Sequence, residues 1–181
     1  GGRYWGLYGA AGLLLRAPRA DGTPAVLLQH RAPWSHQGGT WALPGGARNS
    51  DESPEDAALR EAHEEAGLSP DDLQVRATVR TAHVKGQDNS EWHYTTVIAD
   101  AHKLLETVPN RESSELRWVA EDEVADLPLH PGFAASWRVL RITTMLRPDQ
   151  HDECRLSVPH TVQIEAGVFG WCSPAGADVS R

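Results

Sequence analysis

GARNSDESPEDAALREAHEEAGL, residues 46–68, is the stretch that decides how this chain of 181 residues is organised. Its central run is residues 60–65. If that run is helical, Glu61, Glu64 and Glu65 stand at positions i, i+3 and i+4, which places their carboxylates on one face. Each pair of like charges at this spacing costs about 0.2–0.5 kcal/mol. The face is therefore either an ordinary hydrated helix surface or a site prepared for a cation.

The two ends of this helix carry recognisable signals. Ser53 can cap the first turn, Pro54 suits the first helical position, and Asp56 can reach back to complete a capping box. Gly67 favours termination. Alanines recur at every fourth position, at Ala58, Ala62 and Ala66. These small side chains would let the helix lie close to a sheet, with the carboxylates at the edge of the contact.

Composition narrows the class of protein. Lys and Arg number 17 against 25 Asp and Glu, a net charge of −8. General nucleic-acid binding needs basic surface, so it is not expected. No run approaches the roughly 20 apolar residues of a membrane span, so no membrane association is expected. The only cysteines are Cys154 and Cys172; they do not make a disulfide framework, and a reduced, cytoplasmic setting is expected.

The order of predicted elements indicates an α/β protein. Strands are expected at residues 8–16, 25–31, 73–85, 92–99 and 115–119, and helices at 53–66, 121–127 and 133–146. The first two strands form a hairpin around the turn at Asp21-Gly22. Pro44-Gly45-Gly46 is expected to break the short apolar piece at residues 41–43, and residues 101–105 are expected to form a turn or a short helix. A mixed sheet between helices, an α/β/α sandwich, accommodates this order.

The domain organisation follows from the same order. Residues 1–149 are expected to form one domain. Residues 150–181 form a C-terminal extension that is expected to pack on that domain. Within the extension, residues 161–166 and 168–171 look like a pair of strands.

The spacing of the fixed positions matches a known motif. Reading Gly46, five residues, Glu52, seven residues and then REAHEEAGL, every fixed position of the Nudix box is present. The chain therefore resembles the Nudix hydrolases over about residues 8–146. The resemblance implies the Nudix α/β/α sandwich with a mixed β-sheet. It also implies an enzyme that cuts diphosphate linkages in nucleoside diphosphates joined to another group, with a nucleotide as its partner.

The resemblance implies roles for individual residues. Metal binding falls to Gly45, Gly46, Glu61, Glu64, Glu65 and Glu112, where one of the two glycines contributes its backbone carbonyl. The catalytic set is Glu61, Arg60, Glu64 and Glu65, and Glu52 supports Arg60 in an ion pair. Glu61 is the first choice for the base that takes a proton from water, and Glu112 is the second. Carboxylate oxygens are hard ligands, so Mg²⁺ is expected, with Mn²⁺ as a substitute.

A narrower resemblance points to the MutT-like branch, which cleans the nucleotide pool and so protects DNA from damage. Substrate contacts are then expected at Arg31, His36, Leu43, Pro44 and Gly45. The resemblance implies hydrolysis of 8-oxo-dGTP to the monophosphate and pyrophosphate. In this branch an asparagine reads the oxidised purine, whereas the corresponding residues 130–133 contain none.

Alternatives remain at each level. Other Nudix diphosphatases act on coenzyme A or on canonical dNTPs, and a Nudix domain can also sense a nucleotide without cleaving it. Arg31, His36 and Glu112 could be ordinary solvated polar residues. A base could stack on Trp34, Trp41 or Trp92, although most tryptophans serve packing. No oligomeric state is predicted.

Overall fold

The computed structural model describes residues 7–86 and 88–145, and the side chains as far as residue 141. The predicted C-terminal extension, with its strand pair at residues 161–166 and 168–171, lies outside the described residues. Within the described residues, no helix has the length and apolar character that a membrane crossing requires.

One mixed sheet holds the described chain together. Its strands are β1 (Ala10–Pro18), β2 (Pro24–Arg31), β3 (Trp41–Ala42), β4 (Gly45–Ala47), β5 (Gln74–Lys85), β6 (Glu91–Asp100) and β7 (Ser113–Ala120). The central order is β3-β2-β1-β6-β5, with β4 also paired to β1 and β7 to β2. β1 and β6 run parallel, and the other pairs are antiparallel. The predicted hairpin of the first two strands is confirmed, and β5 lies at an edge of the sheet.

Two α-helices cover opposite faces of this sheet. They are α1 (Pro54–Ala66) and α2 (Pro131–Met145), and short 3₁₀ turns span Pro70–Asp72 and Glu121–Asp126. Leu13 and Leu15 of β1 pack with the alanines of α1, whereas Leu14 packs with residues of α2. This alternation follows from the two-residue period of a strand. The predicted α/β/α sandwich with a mixed sheet is confirmed.

Ser53, Pro54 and Gly67 act as expected at the two ends of α1. The Ser53 side chain accepts a hydrogen bond from the backbone N–H of Asp56 at 3.1 Å, and Pro54 is the first helical residue. Gly67 ends the helix in the left-handed conformation, with φ 67°. Ala58, Ala62 and Ala66 are fully buried against the sheet.

The structure corrects the interpretation of Pro44-Gly45-Gly46 as a simple break. Gly45–Ala47 forms β4, which pairs with the start of β1. A side chain at Gly45 would collide with the backbone of Ala11 and Gly12. Strand propensity is low for glycine, so the local sequence hid a strand that needs glycine for close approach. Residues 101–105, left open between turn and helix, contain no helix.

The left-handed end of α1 leads to a stability prediction. Gly67→Ala should lower the free energy of unfolding by about 1 kcal/mol, because a Cβ is disfavoured at positive φ. Gly67→Asn should cost less, because asparagine tolerates this conformation. Urea denaturation of both variants measures the difference. Equal losses would show that crowding of the new Cβ, and not its backbone conformation, sets the cost.

Candidate active site

Arg60 is the centre of the site's hydrogen-bond network. Its Nε and Nη2 donate to the two carboxylate oxygens of Glu52 at 2.7 and 3.0 Å. Nη2 also donates to the carbonyl of Ala47 at 2.9 Å, and Nη1 to Oε1 of Glu61 at 2.9 Å. The hydrogen bond from Arg60 holds the pKa of Glu52 below its usual value. The guanidinium thus ties α1 to β4 and to the loop before the helix.

Glu65 lies deeper than the expected edge position. Its carboxylate is 5% exposed, and Oε2 accepts a hydrogen bond from the backbone N–H of Gly45 at 2.8 Å. Burial raises the pKa of Glu65 to about 8, the charges of Glu61 and Glu112 push it the same way, and the Gly45 N–H opposes them. The sheet therefore holds a carboxylate whose charge is poorly compensated.

Glu61 lies against Gly46, the residue after Gly45 in β4. Its carboxylate occupies the space that a side chain at Gly46 would need. Burial raises the pKa of Glu61, and the hydrogen bond from Arg60 counteracts that shift. Only a residue without a side chain lets this carboxylate approach the backbone of β4.

Glu64 and Glu112 complete the acidic set from the solvent side. Glu64 is exposed, 3.4 Å from Nη1 of Arg60. Glu112 lies just before β7, and its carbonyl accepts a hydrogen bond from the N–H of Ala32 at 3.1 Å. The Glu112 charge raises the pKa of both Glu61 and Glu65. Among the described residues, no three of these carboxylates have oxygens within 4.8 Å of one another.

The donor set nevertheless fits a divalent ion. Glu61 and Glu65 reach the same two-residue segment, Gly45 and Gly46, from consecutive turns of α1. Their raised pKa values show that the protein alone does not neutralise them, and a cation would. Carboxylate and carbonyl oxygens are the ligands that Mg²⁺ and Mn²⁺ prefer.

Gln29 was not anticipated from the sequence. It is 2% exposed in the middle of β2, and its Nε2 donates to Oγ of Ser113 at 2.6 Å. Its side chain also hydrogen-bonds to Glu65, which lowers the pKa of that carboxyl. The available signal was a glutamine at the end of the apolar run AVLLQ, residues 25–29. A buried amide requires hydrogen-bond partners, so it would have indicated a polar contact at this point.

The expected substrate contacts converge on a second region. Arg31 Nε donates to the carbonyl of His36 at 2.9 Å. His130 is fully buried, and burial together with the charges of Arg31 and His36 lowers its pKa to about 4. Arg31, His36 and His130 are therefore near neighbours, although they come from distant parts of the chain.

Two further expected contacts, Leu43 and Pro44, directly precede β4. Leu43 is buried and lines a narrow cavity with Tyr94, Phe133 and Ser136. The carbonyl of Pro44 accepts a hydrogen bond from the N–H of Leu13 at 2.8 Å, so that group is already used within the sheet.

Two of the three candidate stacking tryptophans serve packing. Trp41 and Trp92 are 5% and 6% exposed, whereas Trp34 is 70% exposed. A larger groove of about 630 Å³ lies at the opposite end of β1, between Arg16 and Lys103. None of the expected site residues lines it.

A NUDIX domain model matches residues 8–141. The chain belongs to the Nudix family. It is 70% identical over 176 residues to "Putative 8-oxo-dGTP diphosphatase 3" of Mycobacterium tuberculosis, covering 97% of this chain and 81% of that protein. The expected resemblance to the Nudix hydrolases is confirmed.

Further similarities agree with this membership. The crystal structure of the Nudix hydrolase RenU from M. smegmatis has 70% sequence identity and a TM-score of 0.78, covering 80% of this chain and 90% of that one. A "Nucleoside triphosphate pyrophosphatase/Nudix hydrolase fusion protein" of Bifidobacterium longum is 39% identical over 142 residues, which are 76% of this chain and 28% of that protein.

The buried Glu65 makes stability depend on pH. In metal-free protein its pKa is raised on folding, so the native state retains a proton that the unfolded chain releases above its ordinary pKa. The free energy of unfolding should therefore fall as the pH rises towards the folded-state pKa of about 8. The expected loss between pH 6 and 8.5 is on the order of 2 kcal/mol. Urea denaturation in EDTA at several pH values measures this slope.

The matched control is Glu65→Gln, which keeps the shape and removes the titration. Its stability should vary less over the same interval. An identical slope in both proteins would contradict the assignment of this pH dependence to Glu65.

Proposed function

We propose that this Nudix hydrolase is a Mg²⁺-dependent nucleoside triphosphate pyrophosphohydrolase. Its proposed substrate is 8-oxo-dGTP, which it converts to the monophosphate and pyrophosphate, keeping oxidised guanine out of the nucleotide pool. The observation that carries the reaction type is the pair Glu61 and Glu65, held against Gly45 and Gly46 with insufficient compensating charge. The name of the M. tuberculosis relative supports the substrate.

The proposed metal ligands are the box glutamates, Glu112 and a glycine carbonyl. Glu61 and Glu65 already face β4, and the exposed Glu64 can turn towards a bound ion. Mn²⁺ would substitute for Mg²⁺, because both prefer oxygen donors. A bound divalent ion would neutralise diphosphate charge and lower the pKa of its water.

The protein side of the mechanism centres on the two oxygens of Glu61. Oε1 accepts the hydrogen bond from Arg60, which fixes the orientation of the carboxylate. Oε2 can then take the proton from the attacking water, and its raised pKa makes it a stronger base than a hydrated glutamate. Glu112 is the second candidate, because its charge acts on Glu61 and Glu65 from the solvent side.

We assign substrate binding to the region of Arg31 and His36. A guanidinium and an imidazole near His130 supply the local basic character that an acidic protein otherwise lacks. Leu43, Pro44 and Gly45 would connect that region to the glutamates, because they run directly into β4. The nucleotide would therefore extend from Arg31 towards α1.

One alternative substrate class has specific support. Residues 130–133 contain no asparagine to read an oxidised purine, which favours a canonical dNTP or coenzyme A as substrate. A non-catalytic nucleotide sensor is a different class of function. It is disfavoured because Glu61, Glu64 and Glu65 are all retained.

The carboxylate assignment predicts a large loss of rate. Glu61→Gln and Glu65→Gln should each lower kcat by several orders of magnitude, because each removes a charge that the site needs for its cation. Pyrophosphate release with Mg²⁺ measures the rate, and circular dichroism verifies that the fold survives. Glu55→Gln, at an exposed position of the same helix, should keep nearly full activity. Near-normal rates in both site variants would refute the assignment.

The substrate assignment predicts an order of specificity constants. The kcat/KM for 8-oxo-dGTP should exceed that for dGTP by at least about tenfold, equivalent to about 1.4 kcal/mol of discrimination, and should also exceed those for dCTP and coenzyme A. A higher kcat/KM for any other compound would contradict the assignment of 8-oxo-dGTP as the substrate. Binding of a nucleotide without turnover of any compound would favour the sensor.

A further inference from the structure

A second group of metal-ligating side chains lies on the β5–β6 hairpin. His83 and His93 face each other across the two strands, and Glu91 precedes His93 by two residues. Side chains two residues apart share a face of a strand, so all three project from the same side. We call His83, Glu91 and His93 the hairpin triad. The opposite side of the hairpin carries Ala82, Val84, Trp92 and Tyr94, which pack together.

The triad is compact. Nε2 of His83 is 3.7 Å from Oε1 of Glu91, and Nε2 of His93 is 3.6 Å from Oε2 of the same residue. The two imidazole rings stack with centroids 4.5 Å apart. One donor atom from each residue lies within 4.8 Å of the other two. Ligands at about 2.0–2.2 Å from a tetrahedral ion are separated by about 3.3–3.6 Å, so small side-chain movements would close the set around one ion.

An independent observation points to a missing ligand. Nε2 of His83 and Nδ1 of His93 are both shielded from solvent, and neither has a hydrogen-bond partner among the described residues. Buried polar atoms are normally satisfied by protein, water or an ion. The distance of 3.7 Å from Nε2 of His83 to Glu91 exceeds hydrogen-bond length, so the carboxylate does not satisfy that ring nitrogen.

We propose that the hairpin triad binds one transition-metal ion of the Zn²⁺ class. Two imidazoles and a carboxylate suit Zn²⁺, Co²⁺ or Ni²⁺, and three protein ligands leave a position for water. Arg48 and Arg80 place positive charge near His93, so binding relies on the imidazole lone pairs more than on net charge. The site therefore differs in chemistry from the all-oxygen set at Glu61 and Glu65, and it discriminates against Mg²⁺.

The position of the triad indicates what the ion would do. β5 is the edge strand, and among the described residues it pairs only with β6. The triad stands next to the turn that joins these strands. A bound ion would cross-link the end of the hairpin, and the folded state would become more stable as the free ion concentration rises above Kd.

The experiment uses the full chain with Cys154→Ser and Cys172→Ser, because thiolates also bind zinc. After removal of metals with EDTA and dialysis, the protein is held in excess Mg²⁺ and titrated with Zn²⁺ by calorimetry. One equivalent should bind with micromolar or tighter affinity. His83→Gln and His93→Gln should each weaken that binding at least tenfold, and Glu91→Gln, at a half-exposed position, should weaken it measurably without affecting the fold.

Two controls separate this site from the active site. Glu61→Gln should bind Zn²⁺ as the background protein does, and so should His102→Gln, which changes an exposed histidine elsewhere. Zn²⁺ should also raise the melting temperature of the background protein but not that of the triad variants. Zinc binding that survives in all three triad variants, or that is lost in Glu61→Gln, would overturn the proposal.

Discussion

The close approach of α1 to the sheet is the constraint on which the rest of the structure depends. Alanines every fourth residue remove bulk from the helix side, and Gly46, which lies against Glu61, removes it from the sheet side. Two glutamates one turn apart can then touch the backbone of β4. A larger side chain at either surface would move the helix outward and separate the carboxylates from the glycines. The small residues therefore matter for chemistry as well as for packing.

The carboxylates of the site carry more negative charge than the guanidinium of Arg60 compensates. Arg60 is committed to Glu52, to the carbonyl of Ala47 and to one oxygen of Glu61. These hydrogen bonds do not include Glu65, whose carboxylate is hydrogen-bonded by the backbone N–H of Gly45 and by Gln29. The protein thus positions its acidic groups by hydrogen bonds but does not neutralise them. A diphosphate would increase the imbalance unless positive charge arrived with it.

The sequence predicts features that depend on neighbouring residues better than features that depend on contacts between distant segments. The boundaries of α1 follow from Ser53, Pro54 and Gly67, because capping acts within a few residues. β4 was hidden because its strand character comes from pairing with β1 and not from its own side chains. Gln29 was hidden for a similar reason, since its partners lie far away in sequence, at Glu65 and Ser113. The hairpin triad depends on the register of β5 against β6, which alternation alone cannot specify.

The edge position of β5 has a consequence for behaviour in concentrated solution. Within the described part of the chain, β5 pairs on one side only, so its twelve residues offer backbone groups on the other side to another extended chain. β5 carries the exposed residues Arg80 and Lys85, and two copies brought edge to edge would bring these like charges together. Charged side chains on an edge discourage such pairing. The same residues that make this strand polar therefore help to keep neighbouring molecules from joining their sheets into an aggregate.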